Sequence, residues 1–369
     1  MTREQQPTPL AVKLKERIRR EGPLSVMEYM RACLDDPDHG YYRGQAAIGA
    51  AGDFTTAPEI SQTFGELIGI WAAVAWRAMG APAQLDLIEL GPGRGTMMSD
   101  ALRAARVVPG FLEAIQLHLV ESNPLLRETQ RQTLAAALRQ VPVSWHDELT
   151  PDIAGTRPTI VLANEFLDAF PVRQLVFTDG GWRERCVALD SRECFELVPG
   201  PPVHLERLPA GRPPQEGDVL EMHPGFAQFA DTLRQWSALP LAALIIDYGH
   251  TETAFGETLQ AISRHRYASI FEKPGEMDLT AHVDFAELKG LCAERGLAAD
   301  GPITQSEFLF GLGLAERAGK LMAAARPSEA GLIETSVQRI ADPLGMGGRF
   351  KVVCVRSGVP VLPPFPPAG

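Results

Sequence analysis

Short apolar runs alternate with longer amphipathic ones between residues 85 and 163. The apolar runs have the length of buried strands, and the amphipathic runs repeat apolar residues at helical spacing. The predicted strands lie at 85–89, 116–121, 141–145 and 158–163, and the predicted helices lie at 96–107 and 124–139. Strands separated by helices are typical of a parallel, doubly wound sheet. Ligands of such sheets bind beyond the carboxyl ends of the strands, so each strand end is a candidate site position.

Residues 1–80 are predicted to form a helical extension that precedes this sheet. Its amphipathic runs lie at 10–20 and 26–34, and a longer helix is expected to end at about Met79. Thr56 and Glu59 have the spacing of a capping box at the start of that longer helix. The preceding loop, Gly52-Asp53-Phe54, has two interpretations of similar weight: it serves the cap alone, or it covers a ligand pocket.

The sheet domain is expected to span residues 81–355 and to contain an insertion. Strand-like runs and proline-rich turns after Pro171 predict a β-rich lobe at about 172–217. The later predicted elements are helices at 224–237 and 284–295 and strands at 241–250 and 350–355. Residues 356–369 form a proline-rich tail, a composition that favours an extended conformation.

The turn after the first predicted strand contains Gly91, Gly93 and Gly95. Glycines there let the backbone bend sharply and let a ligand lie directly against it. The G-x-G-x-G spacing differs from the G-x-G-x-x-G of dinucleotide sites, which argues against a nicotinamide dehydrogenase. Glu89 at the strand end would repel a pyrophosphate but would suit the α-amino group of S-adenosylmethionine (SAM). The alternative is a tight strand–helix corner without a ligand.

Acidic residues also follow the second and third predicted strands. Glu121 stands where a carboxylate accepts both hydroxyls of a ribose, and together with Glu89 it favours a SAM site. Asp147 could accept from an adenine amino group, with Trp145 or His146 beside the ring. The interpretation of Asp147 as a solvated loop acid carries about the same weight.

The fourth predicted strand runs into the segment Asn164-Glu165-Phe166-Leu167-Asp168. In a helical turn, Glu165 and Asp168 would share a face. The end of this strand is where a transferred methyl group would meet its acceptor, so Asn164, Glu165 and Asp168 are candidate catalytic residues. The alternative is an ordinary helix N-terminus, whose dipole favours acids in the first turn. The position at the strand end favours the catalytic interpretation.

Charge and cysteine content narrow the classes of partner. The 369 residues carry 35 basic and 46 acidic side chains, a formal net charge of −11, which argues against a nucleic-acid backbone as the main partner. No apolar run approaches the ~18 residues of a membrane span. The five cysteines are scattered without a C-x-x-C pair, so we expect no metal site and a reducing compartment.

Six motifs, in order along the chain, resemble the MidA family of SAM-dependent methyltransferases. They are Gly-Asp-Phe-Thr-Thr-Ala-Pro-Glu-Ile-Ser (52–61), Glu-Leu-Gly-Pro-Gly-Arg-Gly-Thr (89–96), Asn-Glu-Phe-Leu-Asp-Ala-Phe-Pro-Val (164–172), Asp-Tyr-Gly-His (247–250), Asp-Leu-Thr-Ala-His-Val-Asp-Phe (278–285) and Met-Gly-Gly-Arg-Phe-Lys (346–351). The resemblance runs from about residue 24 to 355. The family includes the mitochondrial complex I assembly factor that methylates an arginine of the 49-kDa subunit.

The resemblance implies an α/β, class I (Rossmann-like) methyltransferase fold with an N-terminal helical extension and a β-rich insertion. It implies SAM as the cofactor, with Gly91, Gly93 and Gly95 in the cofactor loop. Glu165 and Asp168 match positions that could take the part of the acidic loop of arginine methyltransferases, although Asn-Glu-x-x-Asp differs from the two-glutamate loop of the better-known enzymes. The Asn-Pro-Pro-Tyr of many nucleobase methyltransferases does not match here.

The resemblance also implies a protein substrate that presents an arginine, such as a complex I subunit, and no nucleic acid or membrane span. No presequence precedes the helical extension, so we expect a bacterial cytoplasmic relative of a mitochondrial family. The second candidate function is a SAM-binding assembly factor or scaffold with little catalytic activity.

Overall fold

The computed structural model describes residues 7–43, 56–205, 208–263 and 266–367. The helices are α1 Pro9–Glu21, α2 Val26–Asp35, α3 Ala57–Ile60, α4 Gln62–Ala78, α5 Thr96–Ala105, α6 Phe111–Ala114, α7 Pro124–Thr133, α8 Pro224–Trp236, α9 Phe285–Glu294, α10 Gln305–Gly311, α11 Leu314–Ala324, α12 Pro327–Ala341 and α13 Met346–Arg349. The strands are β1 Leu24–Ser25, β2 Leu85–Leu90, β3 Ile115–Val120, β4 Val143–His146, β5 Thr159–Asn164, β6 Arg173–Thr178, β7 Gly181–Leu189, β8 Phe195–Val203, β9 Val219–Met222, β10 Leu241–His250, β11 Gln260–Ser263, β12 Arg266–Ala268, β13 Asp278–Thr280, β14 Val283–Asp284, β15 Ala298–Thr304 and β16 Phe350–Ser357.

The central sheet has the strand order β4-β3-β2-β5-β10-β16-β15. Neighbouring strands from β4 to β10 are parallel, whereas β16 is antiparallel to both β10 and β15. The doubly wound sheet predicted from the apolar alternation is therefore confirmed. The last strand of the chain, β16, is not the edge strand of the sheet, because it lies between β10 and the edge strand β15. Strand order reverses between β2 and β5, the place where such sheets bind ligands.

Alternate residues of β2 pack on opposite faces of the sheet, as the two-residue period of a strand requires. Leu85 and Leu87 lie in a core shared with α4 and α5, and Ile88 and Leu90 lie in a core shared with α8 and α9. All six residues of β2 are buried, which explains its continuous apolar pattern. A helical layer on each face thus holds the strand ends in a rigid frame.

The N-terminal helices begin as the sequence predicts. Ser25 and Glu28 form a reciprocal capping box at the start of α2, and the Thr8 hydroxyl caps α1 by accepting the N–H of Ala11. The strand β1 between these helices pairs with β7 and so joins a second sheet, β1-β7-β6-β9, with β8 added on β7. Strands of the β-rich lobe therefore extend to Met222, beyond the predicted end at 217. The division into a 1–80 extension, an 81–355 domain and a tail stays a prediction.

The segment that leads into α4 differs from expectation. The Thr56 side chain makes no capping bond, and Ser61 separates the four-residue α3 from α4, so one capped helix to Met79 does not form. The Glu59 carboxylate instead accepts the Thr96 hydroxyl at 2.5 Å, which ties α3 to the start of α5. The predicted covering loop Gly52-Asp53-Phe54 lies outside the described residues.

A three-stranded sheet, β12-β11-β13, was not anticipated from the sequence pattern. Its strand β13 places Asp278 near the carboxyl ends of the central strands. The predicted cap at the start of α9 is confirmed, because the Asp284 side chain accepts the N–H of Glu287. None of the helices in the described ranges combines the length and apolarity that a membrane crossing needs.

Candidate active site

A cavity of about 500 Å³ lies beyond the carboxyl ends of β2, β3, β4 and β5. The glycine turn, the residues after each of these strands, α8 and the N-terminal extension all contribute to its wall. Its lining includes Tyr42, Gly91, Gly93, Glu121, Asp147, Glu165, Phe166, Asp168 and Asp278. A second, smaller cavity of about 70 Å³ adjoins the same glycine turn and is lined by Glu59, Glu89, Arg94, Thr96 and Asn164 among others. The structure thus brings together the predicted strand-end residues around two connected regions.

The three glycines of the turn all have left-handed backbone angles, with φ of +61° at Gly91, +52° at Gly93 and +80° at Gly95. Only glycine adopts this region at little cost, which explains the motif. Gly91 and Gly93 line both cavities. The position of a Cβ atom on Gly95 is 3.4 Å from Cγ of Gln130, which shows that helix α7 packs directly on the turn.

Glu89 is buried at the end of β2, and its side chain faces the smaller cavity. Burial raises the pKa of the Glu89 carboxyl to about 8. Its Oε2 atom has no hydrogen-bond partner in the described part of the chain, and neither has the buried Oδ1 of Asn164 in the same wall. Two unpartnered buried acceptors are costly without a donor, so this cavity fits an ammonium group.

Glu121 follows β3 directly and is buried at the wall of the larger cavity. Its carboxylate accepts the backbone N–H of Asn123 at 2.8 Å and the Gln130 side-chain amide at 3.3 Å. Burial raises the pKa of the Glu121 carboxyl, whereas these two hydrogen bonds and Arg127 oppose that rise. The carboxylate is therefore held in one orientation at the cavity wall.

Asp147 lines the cavity but is largely solvated, with 80% of its side chain exposed, and it accepts from Arg127 at 2.6 Å. The expected ring neighbours are placed elsewhere. The Trp145 indole donates to Gln130 at 2.9 Å, and His146 lies 3.0 Å from His118 between ring nitrogens. Neither Trp145 nor His146 contributes to the lining of the larger cavity, so that part of the adenine prediction is wrong. Strand β4 turns both side chains back toward α7 and β3.

Glu165 and Asp168 both line the larger cavity, but not as the face of a helical turn. Glu165 has a left-handed backbone, with φ of +51°, and a short 3₁₀ turn, Leu167–Ala169, follows. A non-glycine residue in this conformation is strained and needs support from its surroundings. The predicted helical pairing is therefore wrong in its geometry, although the two carboxyls do share one cavity.

The support comes from Asp247, near the carboxyl end of β10. Its Oδ2 atom accepts the backbone N–H groups of Phe166, Leu167 and Asp168 at 3.2, 2.9 and 3.2 Å. Its Oδ1 atom accepts the N–H of Tyr248 at 3.0 Å. Asp247 is fully buried, and it fixes the loop that carries the two cavity-lining carboxyls. The sequence showed an acid at this strand end but not its partners.

The carboxyls of this loop are electrostatically unsatisfied. Burial, followed by the repulsion of Asp168, raises the pKa of Glu165 to about 8. Burial also raises the pKa of Asp168 to about 6, against the opposing effect of the Tyr248 hydroxyl beside it. Among the described residues, neither carboxyl forms an ion pair with a lysine or arginine. Arg31 also lines the cavity, but it pairs with neither carboxyl among the described residues, so both can receive an entering cation.

The N-terminal extension contributes wall residues that the sequence did not indicate. The backbone N–H of Ala57 donates to the Glu165 carboxyl, and Thr56 lines both cavities. Tyr42 lines the larger cavity, and its hydroxyl donates to Asp278 Oδ1 at 3.2 Å. Asp278 begins one of the six motifs, whereas Tyr42 precedes the first of them, and nothing in the sequence shows that the two residues meet.

The sequence matches a family of S-adenosyl-L-methionine-dependent methyltransferases over residues 67–303. It is 35% identical to the protein arginine methyltransferase NDUFAF7, mitochondrial, of Danio rerio, over 93% of this chain and 85% of that protein. It is 34% identical to the Homo sapiens protein of the same name, over 93% of this chain and 82% of that protein.

A solved structure extends the likeness to three dimensions. A COG1565 superfamily member from Burkholderia thailandensis, bound to S-adenosyl-homocysteine, superposes with a TM-score of 0.81 at 29% identity, over 96% of this chain and 93% of that one. The strand order, the glycine turn and the cavity beyond the strand ends agree with this likeness. The chain belongs to the family of S-adenosyl-L-methionine-dependent methyltransferases.

Proposed function

We propose that this protein methylates an arginine side chain of a protein substrate. The observation that carries the proposal is the pair of carboxyls, Glu165 and Asp168, in one cavity wall with no basic partner among the described residues. The relatives named protein arginine methyltransferase support it. The family matches show a methyltransferase, and the proposal concerns the group that accepts the methyl.

The cofactor site fits SAM on three observations of this structure. The unpartnered Glu89 carboxylate suits the α-amino group, and the turn of Gly91, Gly93 and Gly95 leaves backbone open to a ligand. Glu121, held by Asn123 and Gln130 at the wall of the larger cavity, is the candidate acceptor for the ribose hydroxyls. Asp147 is the candidate acceptor for the adenine amino group, although its ion pair with Arg127 makes this the weakest assignment.

An arginine guanidinium fits the acceptor side because its geometry matches two carboxylates. The guanidinium carries five N–H donors in a plane and stays protonated in proteins, so bidentate hydrogen bonds to Glu165 and Asp168 can hold and orient it. Asn164 lines the smaller cavity, and its Oδ1 has no partner among the described residues, whereas its Nδ2 donates to Glu165 at 3.4 Å. A lysine ammonium is a point charge and cannot fill a two-pronged site in the same way.

Bound SAM supplies an electrophilic methyl group, and the residues of this chain position the acceptor for it. Alignment of one guanidinium nitrogen with the methyl group, in a pocket with little water, lowers the activation barrier by several kcal/mol, about 7 or more in favourable cases. The two carboxylates also balance the positive charge that stays on the guanidinium. One proton leaves the methylated nitrogen, and Glu165 is placed to accept it.

A protein substrate of the complex I 49-kDa type, and a role in complex I assembly, are proposed from the family resemblance. The bacterial cytoplasmic location expected from the sequence stays a prediction. A SAM-binding scaffold with little activity is the alternative, and the test below separates it from an enzyme.

The test is methyl transfer from labelled SAM to two peptides that differ only in one residue, arginine or lysine. We expect methylation of the arginine peptide and almost none of the lysine peptide. Equal rates on both peptides would contradict the guanidinium clamp. Tight SAM binding without transfer to any arginine peptide would favour the scaffold.

A further inference from the structure

Gln130, on the inner side of α7, is fully buried and makes three hydrogen bonds with its side-chain amide. Its Nε2 atom donates to the carbonyl of Gly93 at 2.7 Å and to Oε2 of Glu121 at 3.3 Å. Its Oε1 atom accepts the Trp145 indole N–H at 2.9 Å. One amide group thus joins the glycine turn, the acid after β3 and the strand β4.

The Trp145 bond fixes which way the amide faces. An indole nitrogen can only donate, so the Gln130 atom that faces it must be the oxygen. The nitrogen is then turned toward Gly93 and Glu121, where both partners are acceptors. The orientation is therefore determined by chemistry and leaves no equivalent flipped state.

The third glycine of the motif lies against the same side chain. A Cβ on Gly95 would lie 3.4 Å from Cγ and 3.5 Å from Cα of Gln130, an ordinary van der Waals distance, so helix α7 packs directly on the turn. Glycine is favoured at this position by its left-handed backbone, with φ of +80°.

We propose that Gln130 is a positioning residue of the cofactor site, which ties the glycine turn to Glu121 and holds the Glu121 carboxylate in the orientation that the ribose hydroxyls require. This inference rests on the assignment of Glu121 to the ribose made above. Gln130 itself does not line either cavity, so it acts through Glu121 and Gly93.

The charge balance at Glu121 makes this role measurable. Arg127 favours the ionised carboxylate and also donates to the Glu121 backbone carbonyl at 2.6 Å. Asp147 and Glu148 line the same cavity, and His146 accepts the Glu121 backbone N–H through its carbonyl at 2.9 Å. Burial already favours the protonated form of Glu121, so loss of the Gln130 donor should raise the pKa of this carboxyl further.

The experiment measures SAM affinity by calorimetry from pH 5.5 to 8.5 for the full chain and its Gln130→Leu variant. Gln132→Leu is the matched control, since Gln132 is exposed on the same helix and donates only to Glu128. We expect wild type and control to share one pH profile, because the ionisation of Glu89 affects both proteins alike. Relative to the control, Gln130→Leu should bind about tenfold more weakly at pH 8.5 and lose a further tenfold or more at pH 6, since a hydrogen bond to a charged group is worth about 1.5–3 kcal/mol.

Two further variants make the outcome decisive. Glu121→Gln/Gln130→Leu should bind weakly but follow the pH profile of the control, because the carboxyl of residue 121 no longer titrates. Trp145→Phe removes only the anchor of the amide and should show the same pH dependence in milder form, which keeps the test open if Gln130→Leu does not fold. A Gln130→Leu profile parallel to that of the control would overturn the inference. An unchanged affinity in Glu121→Gln alone would instead remove the ribose assignment, and with it this inference.

Discussion

The carboxylate of Asp247 accepts the backbone N–H of Leu167 at 2.9 Å, between residues 80 positions apart in the chain. The same oxygen also accepts from the residues on either side of Leu167. This contact determines where the acceptor loop lies, because Glu165 just before it has a strained, left-handed backbone. The acid at the end of β10 thus orients the loop of β5 without lining the cavity itself.

Replacing Asp247 should impair methyl transfer far more than cofactor binding. Asp247→Ala leaves three loop N–H groups without their acceptor, so the loop should relax and turnover should fall by about a hundredfold, the typical cost of misplacing a reacting group by ~1 Å. SAM affinity should stay within about threefold of wild type, because the glycine turn is untouched. Asp247→Asn keeps one acceptor oxygen and should be intermediate. Equal losses of turnover and SAM affinity, measured by transfer assays and calorimetry, would contradict this role.

The acceptor carboxyls predict a rise of activity with pH. The pKa of Asp168 is about 6 and that of Glu165 about 8 in the free cavity, and both must be ionised to hold a guanidinium. The kcat/KM for an arginine peptide reports the free enzyme, so it should increase from pH 5.5 to 8.5 with inflections near both values. Glu165→Gln should remove the upper inflection and lower the plateau. A profile that is flat over this range would show that these carboxyls do not bind the acceptor.

Glu89→Gln should stabilise the ligand-free protein and weaken its binding of SAM. The pKa of Glu89 is about 8 in the folded protein against an ordinary value of 4.5, so folding takes up a proton between these pH values. The wild type therefore loses stability as the pH rises from 4.5 to 8, whereas the amide does not titrate. The advantage of the variant in unfolding free energy should grow over this window, to the order of a few kcal/mol.

Urea denaturation of both proteins at pH 5 and pH 8 measures this difference directly. The wild type and Glu89→Gln should be similar at pH 5 and separate at pH 8. Calorimetry should show weaker SAM binding in the variant at both pH values. A wild type that is the more stable protein at pH 8 would mean that Glu89 has a partner that satisfies its charge.

Gly95→Ala should disturb the cofactor site, because its left-handed backbone belongs to the glycine turn that lines the cavities. Gly95 has φ of +80° and would place a Cβ 3.4 Å from Gln130, while Gly80 has φ of +90° with nothing within 4 Å. Both alanine variants should lose about 1 kcal/mol from left-handed strain, but only Gly95→Ala should also weaken SAM binding, by several-fold. Thermal unfolding and calorimetry on the pair separate the two effects. Equal SAM affinities in the two variants would show that the backbone conformation at Gly95 does not affect the cofactor site.

The sheet and its strand ends could be predicted because the signals are local. Continuous apolar runs indicate strands buried on both faces, and the acid or glycine after each run marks its end. Glu89, Glu121 and Glu165 were identified in this way and do lie at the cavity walls. Apolar runs and their spacing can be recognised within a short segment, so a single sequence is sufficient to predict the strands and their ends.

The partners of these residues could not be predicted, because they come from distant segments. Gln130 looks like a polar residue of an amphipathic helix until the fold buries it against Gly93, and Tyr42 meets Asp278 only through the three-stranded sheet. The left-handed backbone of Glu165 carries no glycine signal, since the surrounding structure and not the residue type enforces it. The local sequence pattern therefore predicts where the site lies, whereas its geometry depends on tertiary contacts between distant segments.

The most direct test of arginine methylation compares whole-proteome arginine methylation by mass spectrometry in strains that lack this protein and strains that carry it. The deletion is complemented with wild type, with Glu165→Gln, and with Glu113→Gln as a control at an exposed glutamate far from the cavities. We predict a methylated arginine peptide that is present with wild type and Glu113→Gln and is lost in the deletion and with Glu165→Gln. Identical arginine methylation in all four strains, with full rescue of growth by Glu165→Gln, would contradict the proposed function.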